Sequence, residues 1–126
     1  MHMEELRVRE LLMEGYCCAD ALCQMALEEL GKEDELLTRA LKGLCNGMYS
    51  GGVCGALTGG ACMISLLAEP IARGPLVRML SDWFAQAYGE SCGGVCCRDI
   101  RVKADCSDVV EAVYLRAMEL LEEYTP

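Results

Sequence analysis

An uncharged stretch of 26 residues, from Gly43 to Ala68, constrains the fold of this chain more than any other feature. It contains no Asp, Glu, Lys or Arg, although 25% of the whole sequence is charged, and it carries seven glycines. Its first part, through Gly52, is typical of a glycine-rich loop, and its second part, from Val53, is typical of a buried helix. We therefore expect a central, buried helix rich in glycine and cysteine, with the other elements packed around it.

The rest of the chain shows the apolar spacing of three and four residues that is typical of amphipathic helices. The pattern predicts helices over residues 4–13, 19–30, 33–44, 76–88 and 107–123, with a helical turn over 96–100. Pro70 and Pro75 predict a turn, and Gly89 predicts the end of the helix that follows it. No segment alternates as a β-strand does. We expect an all-α fold, a compact bundle of five or six helices that forms one domain over residues 1–126.

Composition and charge limit the expected binding partners and the expected cellular location. The net charge of −9 disfavours nucleic acid and anionic membranes as partners. No signal peptide is evident, and the apolar run over 53–68 is shorter than the roughly 20 residues that span a bilayer. We expect a cytoplasmic protein. Gly55 and Gly59, four residues apart, would allow close approach of another backbone, which is also compatible with a homodimer.

Ten cysteines are far more than an ordinary chain of this length carries. Structural disulfides are rare in a reducing compartment, so metal binding or redox chemistry is the better explanation, although several buried thiols will only pack. The absence of any C-x-x-C spacing disfavours thioredoxin-type chemistry and zinc ribbons. His2 is the only histidine and lies near the terminus, which disfavours mixed Cys/His zinc sites and a Cys–His catalytic pair.

The remaining candidates are single cysteines at predicted helix starts or in glycine-rich loops. They are Cys18, Cys54, Cys97 and Cys106. Cys54 lies where loop becomes helix, and the unpaired N–H groups and dipole of a helix start favour the thiolate form. Cys17 and Cys18 point about 100° apart on a helix, so we expect one to serve a site and the other to pack.

Four short motifs, beginning at Gly15, Cys54, Cys97 and Cys106, are similar to those of a known family. They read G-Y-C-C-A-D-A, C-G-A-L-T-G, C-R-D-I and C-S-D-V-V, and together they resemble the C_GCAxxG_C_C family of putative redox-active proteins over about residues 10–122. The resemblance implies that the family's four recurrent cysteines correspond to Cys18, Cys54, Cys97 and Cys106. Similar domains in split-Soret cytochromes are associated with a [2Fe–2S] centre, so the resemblance also implies an iron–sulfur cofactor.

The leading hypothesis is therefore electron transfer through an iron–sulfur cluster, with [2Fe–2S] as the expected type and another protein as redox partner. Gly52 and Gly55 would bring backbone N–H donors near the sulfurs, and Arg98 and Arg101 would offset the negative charge of the cluster. The ligands would be the four cysteines named above. The additional cysteines leave open which sulfurs bind; they are Cys17, Cys45, Cys92 and Cys96.

Two alternatives stay open. The first is a thiol–disulfide redox enzyme or sensor, in which Cys54 attacks and Cys97 or Cys106 resolves. The second is a structural zinc site held by four cysteines. Only the first of these alternatives would make the protein an enzyme.

Overall fold

The computed structural model describes residues 3–124, and this part of the chain consists of helices joined by short loops. His2 lies outside the described residues. Seven α-helices are present within 3–124: α1 (Met3–Met13), α2 (Cys18–Leu30), α3 (Glu35–Leu41), α4 (Gly55–Leu67), α5 (Pro70–Phe84), α6 (Cys97–Ile100) and α7 (Cys106–Glu123). The all-α prediction is confirmed, with one helix more than expected. In the described chain, β-structure is limited to one bridge between Val53 and Cys96.

The helix at the centre of the bundle is α4, as the uncharged stretch predicts. It packs against α2, α5 and α7. Its inward face includes Gly59, Met63 and Ile64, all buried. The surrounding helices complete the core with large, fully buried side chains, among them Leu22, Leu80, Phe84, Val110, Val113 and Leu120.

Glycines of α4 set its closest contact, which is with α2. A Cβ atom at Gly59 would lie 2.7 Å from the Cα of Ala19 and 2.9 Å from its carbonyl oxygen. One turn earlier, a Cβ at Gly55 would lie 3.4 Å from the Cβ of Cys18. The two glycines thus allow close packing within the chain. Because the two glycines already pack against α2 of the same chain, they no longer support a homodimer. The homodimer stays a prediction.

The prediction of a turn between Pro70 and Pro75 is wrong, because both prolines belong to α5. Pro70 occupies the start of the helix, where its missing N–H would have no partner in any case. Pro75 lies inside the helix and lacks the N–H that would bond to the carbonyl of Ile71. Gly74 precedes it and has no Cβ to clash with the proline ring, which eases the helical conformation there.

The end of α5 also differs from the prediction that Gly89 terminates it. The chain continues through a π-type turn, Ala85–Gly89, into a last helical turn, Glu90–Cys92. The helix stops at Gly93, whose φ of 88° is accessible to glycine at little cost. No helix within 3–124 is long and apolar enough to cross a membrane.

The loop that leads into α4 has a left-handed backbone. Its residues Asn46, Gly47, Met48 and Tyr49 have φ angles of 53°, 62°, 59° and 58°. This conformation costs roughly 1–2 kcal/mol for each residue that carries a side chain. Met48 and Tyr49 are 68% and 71% exposed, so burial of their side chains offsets little of that cost. The loop must therefore be held by contacts at its two ends.

We expect Gly59→Ala to lower the free energy of unfolding by about 1–3 kcal/mol, because the new methyl group would press against the backbone of α2. Gly43→Ala is the control: the site is open and has an ordinary φ, so the change should be neutral or stabilise by up to about 1 kcal/mol. Urea denaturation of both variants measures the difference. Equal stability of Gly59→Ala and the parent protein would contradict the close α2–α4 contact.

Candidate four-cysteine site

Four free cysteines from four helix starts line one cavity of about 230 Å³, together with Cys17, whose sulfur is in a disulfide. The free cysteines are Cys18, Cys54, Cys97 and Cys106. Cys18, Cys97 and Cys106 are the first residues of α2, α6 and α7, and Cys54 is the residue that caps the start of α4. The fold therefore brings together the cysteines that the sequence singled out, although they are spread over most of the chain.

Two local contacts place the first three of these thiols. The Gly55–Gly59 face of α4 lies against the start of α2 and sets Cys18 beside Cys54. The backbone N–H of Cys54 donates to the carbonyl of Val95 at 2.9 Å, and the N–H of Cys97 donates to the carbonyl of Gly52 at 2.5 Å. This short bridge joins the entries to α4 and α6 and brings Cys97 to the cavity.

The fourth thiol is positioned by the cap of α7. The carboxylate of Asp105 accepts hydrogen bonds from the backbone N–H groups of Ser107 and Asp108, so the helix begins just before the predicted Ser107. Cys106 lies in its first turn, lines the cavity and is exposed. The cavity therefore meets solvent at Cys106, while Cys54 is only 6% exposed.

The candidate cofactor-binding residues lie in different places. Gly55 lines the cavity. The N–H of Gly52 donates to the carbonyl of Gly47 at 2.9 Å, so Gly52 supports the site through its carbonyl instead. Arg98 is exposed, and its guanidinium donates to the carbonyl of Gly51 at 3.4 Å.

Of the two arginines expected to offset the charge of a cluster, Arg101 lines the cavity and Arg98 does not. Arg101 lies four residues after Cys97 and so shares its helix face, whereas Arg98 points about 100° away. Apolar side chains form much of the remaining wall: Leu12, Ala56, Ile100 and Val109. The site thus combines thiols, one guanidinium and a partly dry lining.

Burial affects the pKa of the cavity thiols more strongly than the helix starts do. Desolvation raises the pKa of Cys18 to about 12, and repulsion from the other three cavity thiolates acts in the same direction. Desolvation also raises the pKa of Cys54, although hydrogen bonds from the N–H groups of Ala56 and Leu57 lower it in part. The prediction that the helix start makes Cys54 a thiolate is therefore wrong for the thiol alone. A bound cation would reverse this balance, because it lowers the pKa of the thiols that ligate it.

The thiols are spaced more widely than a single metal ion requires. Within residues 3–124, three ligand atoms lie mutually within 4.8 Å only at Cys17, Asp20 and Cys45, which does not include the four cavity thiols. In a tetrahedral zinc site, Zn–S bonds of about 2.3 Å put the sulfurs about 3.8 Å apart. The four side chains would therefore have to move to hold a single zinc ion.

The other cysteines fall into separate environments. Cys17 and Cys45 form a disulfide with a Cα–Cα distance of 5.7 Å, a pairing that nothing in their separation of 28 residues signals. Cys17, expected either to serve a site or to pack, is thus covalently bonded. Cys92 is buried and Cys96 caps α6, and neither lines the cavity. Cys23 and Cys62 belong to a small second apolar cluster between α2 and α4, so Cys62 lies away from the cavity as expected.

Comparison with known families gives one match. Residues 16–120, which include all four cavity cysteines, match the family described as putative redox-active protein (C_GCAxxG_C_C). No curated protein and no solved structure matches the chain significantly.

In the cofactor-free protein we expect alkylation of Cys18 and Cys54 to require unusually high pH. Only the thiolate reacts, and the pKa of both thiols lies above the ordinary value of 9.0, at about 12 for Cys18. The rate with iodoacetamide, followed by mass spectrometry at each cysteine, should still be rising at pH 10. Steric protection lowers the rate at every pH but does not change the pH at which the rate levels off, so that pH is the quantity to compare. A rate for Cys54 that levels off below pH 8 would show a low-pKa thiolate and contradict the expectation.

Proposed function

Because the chain belongs to the C_GCAxxG_C_C family of putative redox-active proteins, we propose that it transfers electrons through an iron–sulfur cluster. The proposed ligands are the thiolates of Cys18, Cys54, Cys97 and Cys106, and the proposed type is [2Fe–2S]. When bound, such a cluster accepts and donates single electrons. The observation that carries the proposal is the convergence of these four thiols on one cavity.

The charges around the cavity favour a group with net negative charge. A helix start carries a partial positive charge, up to about half an elementary charge for a long helix, and four such starts surround the thiols. The N–H groups of Ala56 and Leu57 already point at the sulfur of Cys54. Arg101 adds a full positive charge at the wall. Four thiolates with a cluster are anionic, so these groups would offset their mutual repulsion.

Size and spacing favour a small inorganic group. A cavity of about 230 Å³ is below the roughly 300–1,000 Å³ of pockets that hold organic ligands. The thiols are also too widely spaced for a single zinc ion without movement of the side chains. A cluster of several atoms fits both constraints better than an organic cofactor or a four-cysteine zinc site.

The exposure of the ligands supports a role in electron transfer. Leu12, Ile100 and Val109 shield the inner thiols from water, which protects a cluster and tunes its potential. Cys106 is exposed at the mouth of the cavity. We propose that a redox partner protein approaches on this side, because it is where the ligand set comes nearest to the surface.

The thiol–disulfide alternative based on Cys54 has less support. An attacking cysteine needs a thiolate near neutral pH, whereas burial raises the pKa of Cys54. Its candidate resolving partners, Cys97 and Cys106, line the same cavity. Their placement is compatible both with a cluster and with thiol–disulfide exchange, so the raised pKa of Cys54 is what favours the cluster.

Cys54→Ser should abolish or strongly alter the cluster, because Cys54 is the most buried of the four proposed ligands. Cys62→Ser is the matched control, since it changes another cysteine of the same helix that lies outside the cavity. Anaerobic purification followed by visible absorption and assays of iron and acid-labile sulfide gives the readout. Parent protein that is colourless and holds stoichiometric zinc would overturn the proposal in favour of a zinc site. An unchanged cluster in Cys54→Ser would reject this ligand set.

Arg101→Gln should lower the reduction potential of the cluster, because loss of a nearby positive charge disfavours the added electron. A charge interaction of about 1 kcal/mol corresponds to about 43 mV for one electron, so a shift of tens of millivolts is expected. Arg98→Gln is the control because it removes the same charge: both arginines are exposed, but only Arg101 lines the cavity. A larger shift in Arg98→Gln than in Arg101→Gln would contradict the assignment of Arg101.

A further inference from the structure

The Cys17–Cys45 disulfide joins the cavity rim to the strained loop. Cys17 caps the start of α2 and lines the cavity. Cys45 is 6% exposed and immediately precedes Asn46, the first residue of the left-handed run. The bond is therefore placed where it can act on both the loop and the site.

We propose that Cys17 and Cys45 form a second redox site, a reversible thiol–disulfide couple that exchanges two electrons with dithiols and thereby holds or releases the loop over residues 45–52. This site uses neither Cys54 nor the other three cavity thiols. It is independent of whether the cavity binds a cluster.

The loop depends on few ties besides this bond. At its start, Lys42 pairs with the buried carboxylate of Asp20 at 2.5 Å. The same carboxylate accepts a hydrogen bond from the N–H of Cys17 at 2.6 Å. The side chain of Lys42 is 52% exposed, so its ion pair alone holds the segment weakly. The disulfide is the covalent tie at this end of the loop.

The far end of the loop is held by backbone hydrogen bonds and by one exposed side chain. The N–H of Gly52 donates to the carbonyl of Gly47, the carbonyl of Gly52 accepts from the N–H of Cys97, and the guanidinium of Arg98 donates to the carbonyl of Gly51. Between the two ends, Met48 and Tyr49 are exposed and lie in the unfavourable left-handed conformation. Once the covalent tie is lost, these residues are free to relax toward an ordinary backbone.

Exposure identifies the sulfur that is attacked. Cys17 is only half-buried and borders the cavity, whereas Cys45 is buried. A thiolate of the dithiol attacks the sulfur of Cys17, the Cys17–Cys45 bond breaks, and Cys45 leaves as a thiolate that takes up a proton. The second thiolate of the reductant then attacks the reductant's first sulfur, which is bonded to Cys17 in the mixed disulfide. Cys17 is released as a thiolate that takes up a proton. The dithiol becomes a cyclic disulfide, and two electrons and two protons pass to the protein.

Reduction has a structural consequence at the cavity. Asn46 and Cys17 both contribute to the wall beside Cys18. Release of the loop removes the constraint on Asn46 and loosens this wall. The oxidised state therefore keeps the cavity closed on that side, and the reduced state gives easier access to the inner thiols.

To test this proposal, the whole 126-residue chain is equilibrated, as purified, in buffers that contain oxidised and reduced dithiothreitol in different ratios. Differential alkylation with mass spectrometry reports the state of Cys17 and Cys45, and hydrogen exchange reports the loop over 45–52. We expect both cysteines to change together in one reversible two-electron transition. Exchange in the loop should accelerate at least about tenfold on reduction.

The double variant Cys17→Ser/Cys45→Ser is the matched control. Its loop should exchange at the fast rate without reductant and show no further change on reduction. Cys62→Ser should behave like the parent protein. If the double variant fails to fold, the titration of the parent chain decides alone. Cys17 and Cys45 that remain thiols in oxidised glutathione as well as in oxidised dithiothreitol, or a loop that exchanges equally in the oxidised and reduced states, would overturn the proposal. None of these readouts depends on iron content, so a failed cluster proposal would be recognised separately.

Discussion

The contact between the backbones of α2 and α4 is the constraint on which the rest of the structure depends. Gly59 leaves no space for a side chain against Ala19, and Gly55 meets the start of α2 one turn earlier. Because the helices touch at this point, the first residue of α2 and the cap of α4 lie side by side. The thiols of Cys18 and Cys54 thereby share one cavity. Any residue larger than glycine at position 59 would press against the backbone of α2.

The chemistry of the site follows from a balance between burial and charge. Four helix starts and Arg101 supply positive potential around the cavity, yet burial raises the pKa of Cys18, Cys54 and Cys106. This positive electrostatic potential is too weak to ionise isolated thiols in a site from which water is excluded. It would, however, stabilise thiolates that a metal centre has already deprotonated. The same residues thus argue against a reactive cysteine and in favour of a ligand set.

Adjacent cysteines at the start of α2 serve two different purposes. Cys18 faces the four-cysteine cavity, while Cys17 bonds to Cys45 and anchors the strained loop. The helical geometry that separates neighbouring side chains by about 100° makes this division possible. It also places a disulfide at the rim of the proposed cluster site. The two proposals thus assign different sulfur chemistry to neighbouring residues of one helix.

The amino-acid sequence by itself determined the helical class and the central place of α4, because periodicity and the absence of charge report directly on burial. The predicted helix starts and the family motifs singled out the four cysteines that the fold brings to one cavity. The sequence also identified Gly55 and Gly59 as a close-packing face. The continuation of α5 through Pro75 and Gly89 could not be predicted, since packing overrides local preference there. Only the tertiary structure decided that Arg101 and not Arg98 reaches the cavity, that Cys17 pairs with Cys45, and that Cys54 has a raised pKa. Each of these depends on which groups are neighbours in space and how much water is excluded, and neither quantity is contained in the spacing of residues along the chain.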